Sequence, residues 1–251
     1  MKQGLAVTDT IAVIVQDGPR YASPWHRHDR AQLLYAKSGV LSVTTADGTW
    51  VVPPSRAVWL PAHLEHATAS HAGVRFRSLL IEAAGTPGLP DTCRVVEVTP
   101  LLRELILKLA ALADRGDRKD MAEAVSRVLM MELSFLPTQA LGLPLPRHAG
   151  LAALCETIRK DLARDMAVEE AASLLHMSRA SFMRLFQRET GMSFGRWRQQ
   201  ARMQHALVLL AEGESIVDVA FGCGYDSPSA FSAAFRRTLG RSPSTYFLPE
   251  P

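Results

Sequence analysis

One pattern occurs twice in this chain, and it narrows the fold more than any other feature. In the first copy Val168, Ala171, Ala172 and Leu175 recur at helical spacing, His176 and Met177 break the run, and Ser178 opens a second run with Phe182, Leu185 and Phe186 on one face. About 48 residues on, by the match of Ala172 to Ala220, the second copy sets Ile216, Val219 and Ala220 before Gly222-Cys223-Gly224. Ser227, Pro228, Phe231, Ala234 and Phe235 follow after a one-residue slip. Serine suits a helix N-cap because its hydroxyl accepts from an orphaned amide, and proline suits the first helical position. Two short helices joined by so short a turn predict a helix-turn-helix unit in each copy. Between them, Phe194 to Leu210 keeps a helical period through Trp197, Ala201, Ala206 and Leu209, long enough to hold two units at fixed separation.

In such a unit the second helix packs its inner face on the first and leaves its outer face free to enter the major groove of DNA. The outer face of the first unit carries Arg179, Ala180, Met183 and Arg184, with Arg188 beyond; that of the second carries Ser229, Ala230, Ser232 and Ala233, with Arg236 and Arg237 beyond. Net charge is only +3, too small to demand a nucleic-acid partner. Its distribution says more: Arg179, Arg184, Arg188, Arg196, Arg198 and Arg202 stand against one acid, Glu189, and Arg236, Arg237 and Arg241 form a second cluster. Clustered arginine fits a phosphate-binding face, although a solvated helix face produces similar runs.

The stretch from Ser178 to Phe247 resembles the DNA-binding domain of the AraC/XylS family. Ile216, Ala220, Gly224-Tyr225, Ser227, Phe231, Phe235, Gly240 and Pro243 stand where that family's signature has them. The resemblance implies a sequence-specific transcription regulator that is not an enzyme, with double-stranded DNA as partner, a homodimeric state, and RNA polymerase as a candidate further partner. Two residues depart from the pattern. His176 occupies a turn position where the family has Gly, and Ala167 stands where Ser or Thr would cap the first helix.

From Leu5 to about Glu82 the period is two, punctuated by turn residues, which predicts a small β-barrel or sandwich. Val40 to Thr44 and Trp50 to Val52 read as a hairpin, with Asp47-Gly48 supplying the positive φ of a tight turn. Further strands are expected at Ala57 to Leu60 and Val74 to Ile81. His26 and His28, two apart, would share one face of a strand; Gln32 and Gly39 follow, and His66 comes after Pro61. This resembles the two cupin motifs, whose histidines converge inside a barrel, a sensor domain that AraC-family chains often carry. By that resemblance His26, His28, Gln32 and His66 form a metal or effector pocket. Imidazole nitrogens suit zinc, nickel or iron, so a transition metal is a candidate cofactor. Gln32 stands where metal cupins have Glu, and Arg56 and His63 where the second motif has Gly, so histidines that hydrogen-bond a small-molecule effector without metal are the other reading.

Near residue 98 the period becomes helical. Thr99 and Pro100 open a run with Leu102, Leu105, Ile106 and Leu109 on one face, and Met121, Val125, Val128 and Leu129 mark a second helix. This pair is either a dimer interface or a layer on the barrel. The prolines and glycines between Pro137 and Gly150 read as a linker. The expected fold is therefore α+β with two domains: a cupin-like sensor barrel at 1–97, a helical pair at 98–135, a linker at 136–149 and a tandem helix-turn-helix domain at 150–251. With 251 residues, 47% hydrophobic and 21% charged, the chain is long and mixed enough for two cores. Asp9 and Asp17 interrupt the first residues too soon for a secretory segment, no run is long enough to span a membrane, and a cytoplasmic location is expected. Cys93, Cys155 and Cys223 lie far apart without a CxxC, so neither disulfides nor a thiolate site is indicated. The competing class, a metal-dependent cupin enzyme with a helical appendage, lacks a convincing acid or base beyond Glu65 and Glu82 and does not explain the repeated helix pairs.

Overall fold

The computed structural model describes residues 5–70, 72–82, 88–115, 118–133 and 141–247. Its strands are β1 (Leu5–Ala6), β2 (Ile11–Gly18), β3 (Tyr21–His26), β4 (Ala31–Ser38), β5 (Leu41–Thr45), β6 (Gly48–Val52), β7 (Arg56–Leu60), β8 (His66–Ser70), β9 (Val74–Ile81), β10 (Arg94–Glu97) and β11 (Gly142–Pro144). Its helices are α1 (Pro100–Arg115), α2 (Lys119–Glu132), α3 (Ala149–Lys160), α4 (Val168–Leu174), α5 (Arg179–Thr190), α6 (Phe194–Glu212), α7 (Ile216–Gly222) and α8 (Pro228–Leu239). The chain divides into two compact units, residues 1–45 with 51–138, and residues 46–50 with 139–251.

The first unit is built on two antiparallel sheets. One has the order β1-β2-β9-β4-β7-β10, and the other runs β6-β5-β8-β3. Alternation along the strands gives the larger sheet two covered faces. Ile11, Val13, Leu33, Tyr35, Leu79 and Ile81 pack with Leu102, Ile106 and Leu109 of α1. Their neighbours Ala12, Ile14, Gln32, Leu34, Ser78 and Leu80 instead line a cavity that β3 and β8 also border. The helix pair thus forms a layer on the sheet: α1 covers it, α1 starts under a Thr99 hydroxyl that accepts from Leu102 N (3.1 Å), and α2 packs on α1. Val128, expected on the inner face of α2, is 44% exposed, and Met131 beside it is 86% exposed; Ala122, Ser126 and Leu129 are the residues that α2 buries.

Two local expectations need correction. The Asp47-Gly48 pair does not supply positive φ: the turn lies at Ala46-Asp47, and Gly48 is already in β6. Glycine is required there for a different reason, since a Cβ would come within 2.8 Å of the Leu143 carbonyl. Nor do His26 and His28 share a strand, because β3 ends at His26 and His28 lies in the turn before β4.

In the second unit α3 to α6 pack around Phe182, Phe186, Phe194 and Trp197, with Leu151, Leu154, Cys155 and Ile158 from α3. The stretch read as a linker contributes structure. Residues 136–140 lie outside the described residues, but β11 pairs with residues 48–50, Leu143 joins the core, and the Pro144 carbonyl accepts from Trp197 Nε1 (2.8 Å). Gln204 donates to the carbonyls of Thr49 (2.9 Å) and Leu141 (2.8 Å).

Candidate functional site

The two helix pairs are close structural repeats. Each first helix, α4 and α7, has seven residues, and each second helix, α5 and α8, has twelve. Ser178 and Ser227 cap the second helices by accepting from Ser181 N and Ala230 N (both 3.2 Å). Phe182 and Phe186 are buried in one, Phe231 and Phe235 in the other. At the turn, His176 takes a left-handed φ of 53° where Gly224 has 72°. Ala167 gives α4 no side-chain cap.

With the aromatic faces buried, the opposite faces are open. Arg179, Ala180, Met183, Arg184 and Arg188 are all exposed on α5; Ser229, Ala230, Ala233, Arg236 and Arg237 are exposed on α8, while Ser232 is half-buried. Met183, Arg184 and Arg188 border a shallow groove closed by Ser193 and Phe194 at the start of α6. Arg179 already pairs with Glu169 (3.3 Å), an exposed contact that a phosphate can displace. Two members of the arginine cluster are not available to a ligand. Arg198 is tied to Asp165 (2.8 Å) and to the Met166 carbonyl (2.7 Å), and its guanidinium holds the Asp165 carboxyl below the usual carboxylate range. Arg202 donates to the Leu162 carbonyl (3.1 Å) and lies over the Tyr225 ring.

The cavity between the sheets has a volume of about 590 Å³. The three expected histidines meet at its edge: His26 and His66 rings are 4.4 Å apart between centroids, His28 and His66 5.1 Å, and His26 and His28 6.0 Å. Their candidate ligand nitrogens all lie within 4.8 Å of one another. His66 starts β8 and is fully buried; burial pulls its pKa down to about 4, with the Leu64 carbonyl opposing and the two other histidines adding to the fall. His28 is held from the loop before β8, where His63, itself at a left-handed φ of 63°, donates its amide to the His28 carbonyl (2.8 Å). Gln32 reaches His28 Nε2 with its Oε1 (3.2 Å) and donates from its amide to Ser78 Oγ (2.6 Å). The cysteines take no part: Cys155 and Cys223 are buried, which pushes both thiols up to about 12.

Residues 10–130 match the AraC-like ligand binding domain, and residues 171–248 match a helix-turn-helix domain family. The HTH-type transcriptional regulator NimR of Escherichia coli K12 is 36% identical over 224 residues, which span 89% of this chain and 82% of that one. The chain belongs to the AraC family. It is a DNA-binding transcription regulator with a ligand-binding N-terminal domain. The thermoregulatory protein LcrF of Yersinia pestis, 28% identical, covers 86% of this chain and 79% of its own. Among solved structures, ToxT of Vibrio cholerae, with an unsaturated fatty acid bound, aligns with a TM-score of 0.40 at 16% identity, covering 98% of this chain and 97% of that chain. The DNA-binding domain of AdpA with a target DNA aligns with a TM-score of 0.36 at 35% identity, over 38% of this chain and 86% of that one.

The sequence reading missed most of the residues that line this cavity. Ile14, Tyr21, Leu34, Phe76, Ser78 and Leu80 all line it. The alternation of Phe76, Ser78 and Leu80 in β9 was a usable signal, since one face of a strand must share one environment. In β4 the signal is absent, because Leu33 and Leu34 are both buried, on opposite faces. Among the described residues no helix is long and apolar enough to cross a membrane.

Proposed function

We propose that this chain works as a ligand-responsive homodimer, in which a small effector in the barrel cavity alters how α5 and α8 read adjacent segments of the DNA major groove. The observation that carries the reading is the pairing of two capped helices, with buried aromatic inner faces and exposed outer faces, in one unit with a cavity between the sheets of the other. In this reading α5 is the main reader of sequence. Arg184 can give two hydrogen bonds to guanine, and Ala180 and Met183 can touch thymine methyls. The α8 face offers Ser229, Ala230, Ser232 and Ala233 at close range, while Arg188, Arg236 and Arg237 hold phosphates. The apolar outer face of α2, with Val128 and Met131, is the surface through which two chains pair, and RNA polymerase is a further partner of the DNA-bound dimer.

A gel shift of the purified full chain with the DNA upstream of its own gene and neighbouring genes tests the reading, with light scattering of the same sample for the dimer. A retarded band that persists against unrelated competitor DNA is expected. Binding indifferent to sequence, or none at low salt, would overturn it. The enzyme alternative is not adopted, because the relatives that align along most of the chain are transcription regulators.

A further inference from the structure

We propose that His26, His28 and His66 bind one divalent transition-metal ion at the edge of the sensor cavity, and that the effector coordinates this ion through an anionic head while its apolar body fills the cavity. The proposal rests on reading the barrel as the effector-binding unit and adds the chemistry of that site.

Tautomers come first. His26 Nδ1 lies 2.9 Å from the Pro24 carbonyl, His66 Nδ1 2.9 Å from the Leu64 carbonyl, and His28 Nδ1 is in hydrogen-bond contact with the Arg30 carbonyl. A carbonyl oxygen only accepts, so each Nδ1 carries the ring proton and each neutral ring leaves a bare lone pair on Nε2. Backbone carbonyls on the far nitrogen are also how metal-binding histidines are oriented. One candidate ligand nitrogen from each ring lies within 4.8 Å of the other two, and rings in this state have no proton to share among themselves. His66 Nε2 is buried and has no hydrogen-bond partner. His28 Nε2 faces Gln32 Oε1 at 3.2 Å, acceptor against acceptor, because the Gln32 amide nitrogen is committed to Ser78 Oγ. A cation resolves each of these contacts, taking three nitrogens and the Gln32 oxygen as donors.

The distances allow it. Bonds of about 2.0 to 2.1 Å in tetrahedral geometry place nitrogens roughly 3.3 Å apart. Nitrogens within 4.8 Å of one another reach that spacing by drawing in by at most about 1.5 Å. Imidazole donors select zinc, nickel, iron or copper over magnesium or calcium. Among the described residues no carboxylate or thiolate joins the group, so all four donors are neutral and the ion keeps its full positive charge. The next ligand is therefore favoured to be an anion. It would enter from the cavity that His26, His28 and Gln32 line, against walls formed by Ile14, Leu34, Phe76 and Leu80. That geometry selects a molecule with a chelating anionic head on an apolar body.

The test uses the full chain, stripped with a chelator, checked for folding by circular dichroism and titrated with Co²⁺ under visible absorption, then with Zn²⁺ and Ni²⁺ by calorimetry. One ion per chain is expected. His26→Ala and His28→Ala should weaken binding by more than about 100-fold, and Ser78→Ala, which frees the Gln32 amide, by about 10- to 100-fold, the usual cost of an outer partner. His66 is buried, so the half-exposed His26 carries the test if a His66 variant does not fold. Benzohydroxamate should shift the Co²⁺ spectrum, and benzyl alcohol should not. A folded chain that takes up no ion, or binding that survives the histidine substitutions, overturns the metal site and leaves histidines that hydrogen-bond an organic effector. Binding of Co²⁺ with no spectral response to benzohydroxamate overturns the effector class. Gel shifts on the same samples separate the two readings: a chain that binds DNA yet takes up no ion sinks only this proposal, whereas a chain that takes up the ion but binds no DNA sinks only the reading of α5 and α8 as the contact surface.

Discussion

Residues 176 and 224 occupy the same turn in the two repeats, and they meet its left-handed backbone with different side chains. His176 is exposed at φ 53°, and among the described residues none forms a hydrogen bond or ion pair with its imidazole, so its cost is the strain of a β-carbon in that region, about 1 kcal/mol or a little more. His176→Gly should raise stability by ~0.5 kcal/mol, the strain relieved less the added freedom of the unfolded chain. At Gly224 a Cβ would also come within 2.7 Å of the Ala163 carbonyl and 2.9 Å of the Leu162 carbonyl. Gly224→Ala should therefore cost about 2 kcal/mol or more, beyond the left-handed strain alone. Urea denaturation of the two variants beside the parent checks the opposite signs. On the contact face, Arg184→Ala should cost about 1 to 3 kcal/mol on the cognate site and relax the preference at one base pair, whereas Arg236→Ala should weaken all sequences alike. Affinities across a set of single-base site variants decide this; a uniform loss on Arg184→Ala would make Arg184 a phosphate contact. The turn histidine and the missing cap were legible from sequence because each turns on one residue type at one position. The fates of Arg198 and Arg202 were not, since their carbonyl partners lie some 30 to 40 residues away in sequence.

Helices are the elements that the sequence announces most clearly, and their ends show why. Ser178, Ser193 and Ser215 cap α5, α6 and α7 with φ near −67° and ψ near 150°, each accepting from the amide three residues on. Ala167 holds the same backbone, φ −66° and ψ 151°, at the start of α4 and has no oxygen to offer. The local geometry is thus already that of a serine cap, and Ala167→Ser should stabilise the chain by about 1 kcal/mol without moving the helix. Thermal melting should show the gain, with affinity for DNA unchanged; no gain would mean that the amides of α4 are satisfied by water at no cost. Strands were harder to read. In β4 six successive residues are buried because α1 covers one face and the cavity edge the other, so the alternation that marks a half-exposed strand disappears. In β11 the composition Gly-Leu-Pro argues for a loop, and only the partner at residues 48–50 makes it a strand.

At the scale of the whole chain, two units were foreseeable from the change of period, but the boundary between them was not. The domain expected at 150–251 omits what completes its core. Leu143 is 1% exposed among the side chains of α3, α5 and α6, and burying a leucine is worth roughly 1.5 to 3 kcal/mol. Trp197 Nε1 and the Gln200 and Gln204 amides donate to carbonyls of residues 141–144, bonds whose net worth is about 0.5 to 1.5 kcal/mol each when intact. A fragment beginning at residue 149 loses all of these, whereas one beginning at 139 keeps them and, within this unit, gives up the contacts to residues 46–50. Both keep α4 to α8 and hence both candidate contact faces. The longer fragment should therefore be more stable by roughly 2 to 4 kcal/mol, after allowing for water replacing the lost partners. Both should bind DNA at a temperature where both are folded, with affinity falling steeply as salt rises because arginine–phosphate contacts release counterions. Urea midpoints and a salt titration of DNA affinity on the pair measure the two effects separately. Equal stabilities would show that Leu143 and its neighbours only rest on this unit; a folded long fragment that fails to bind DNA at low salt would remove α5 and α8 as the reading surface.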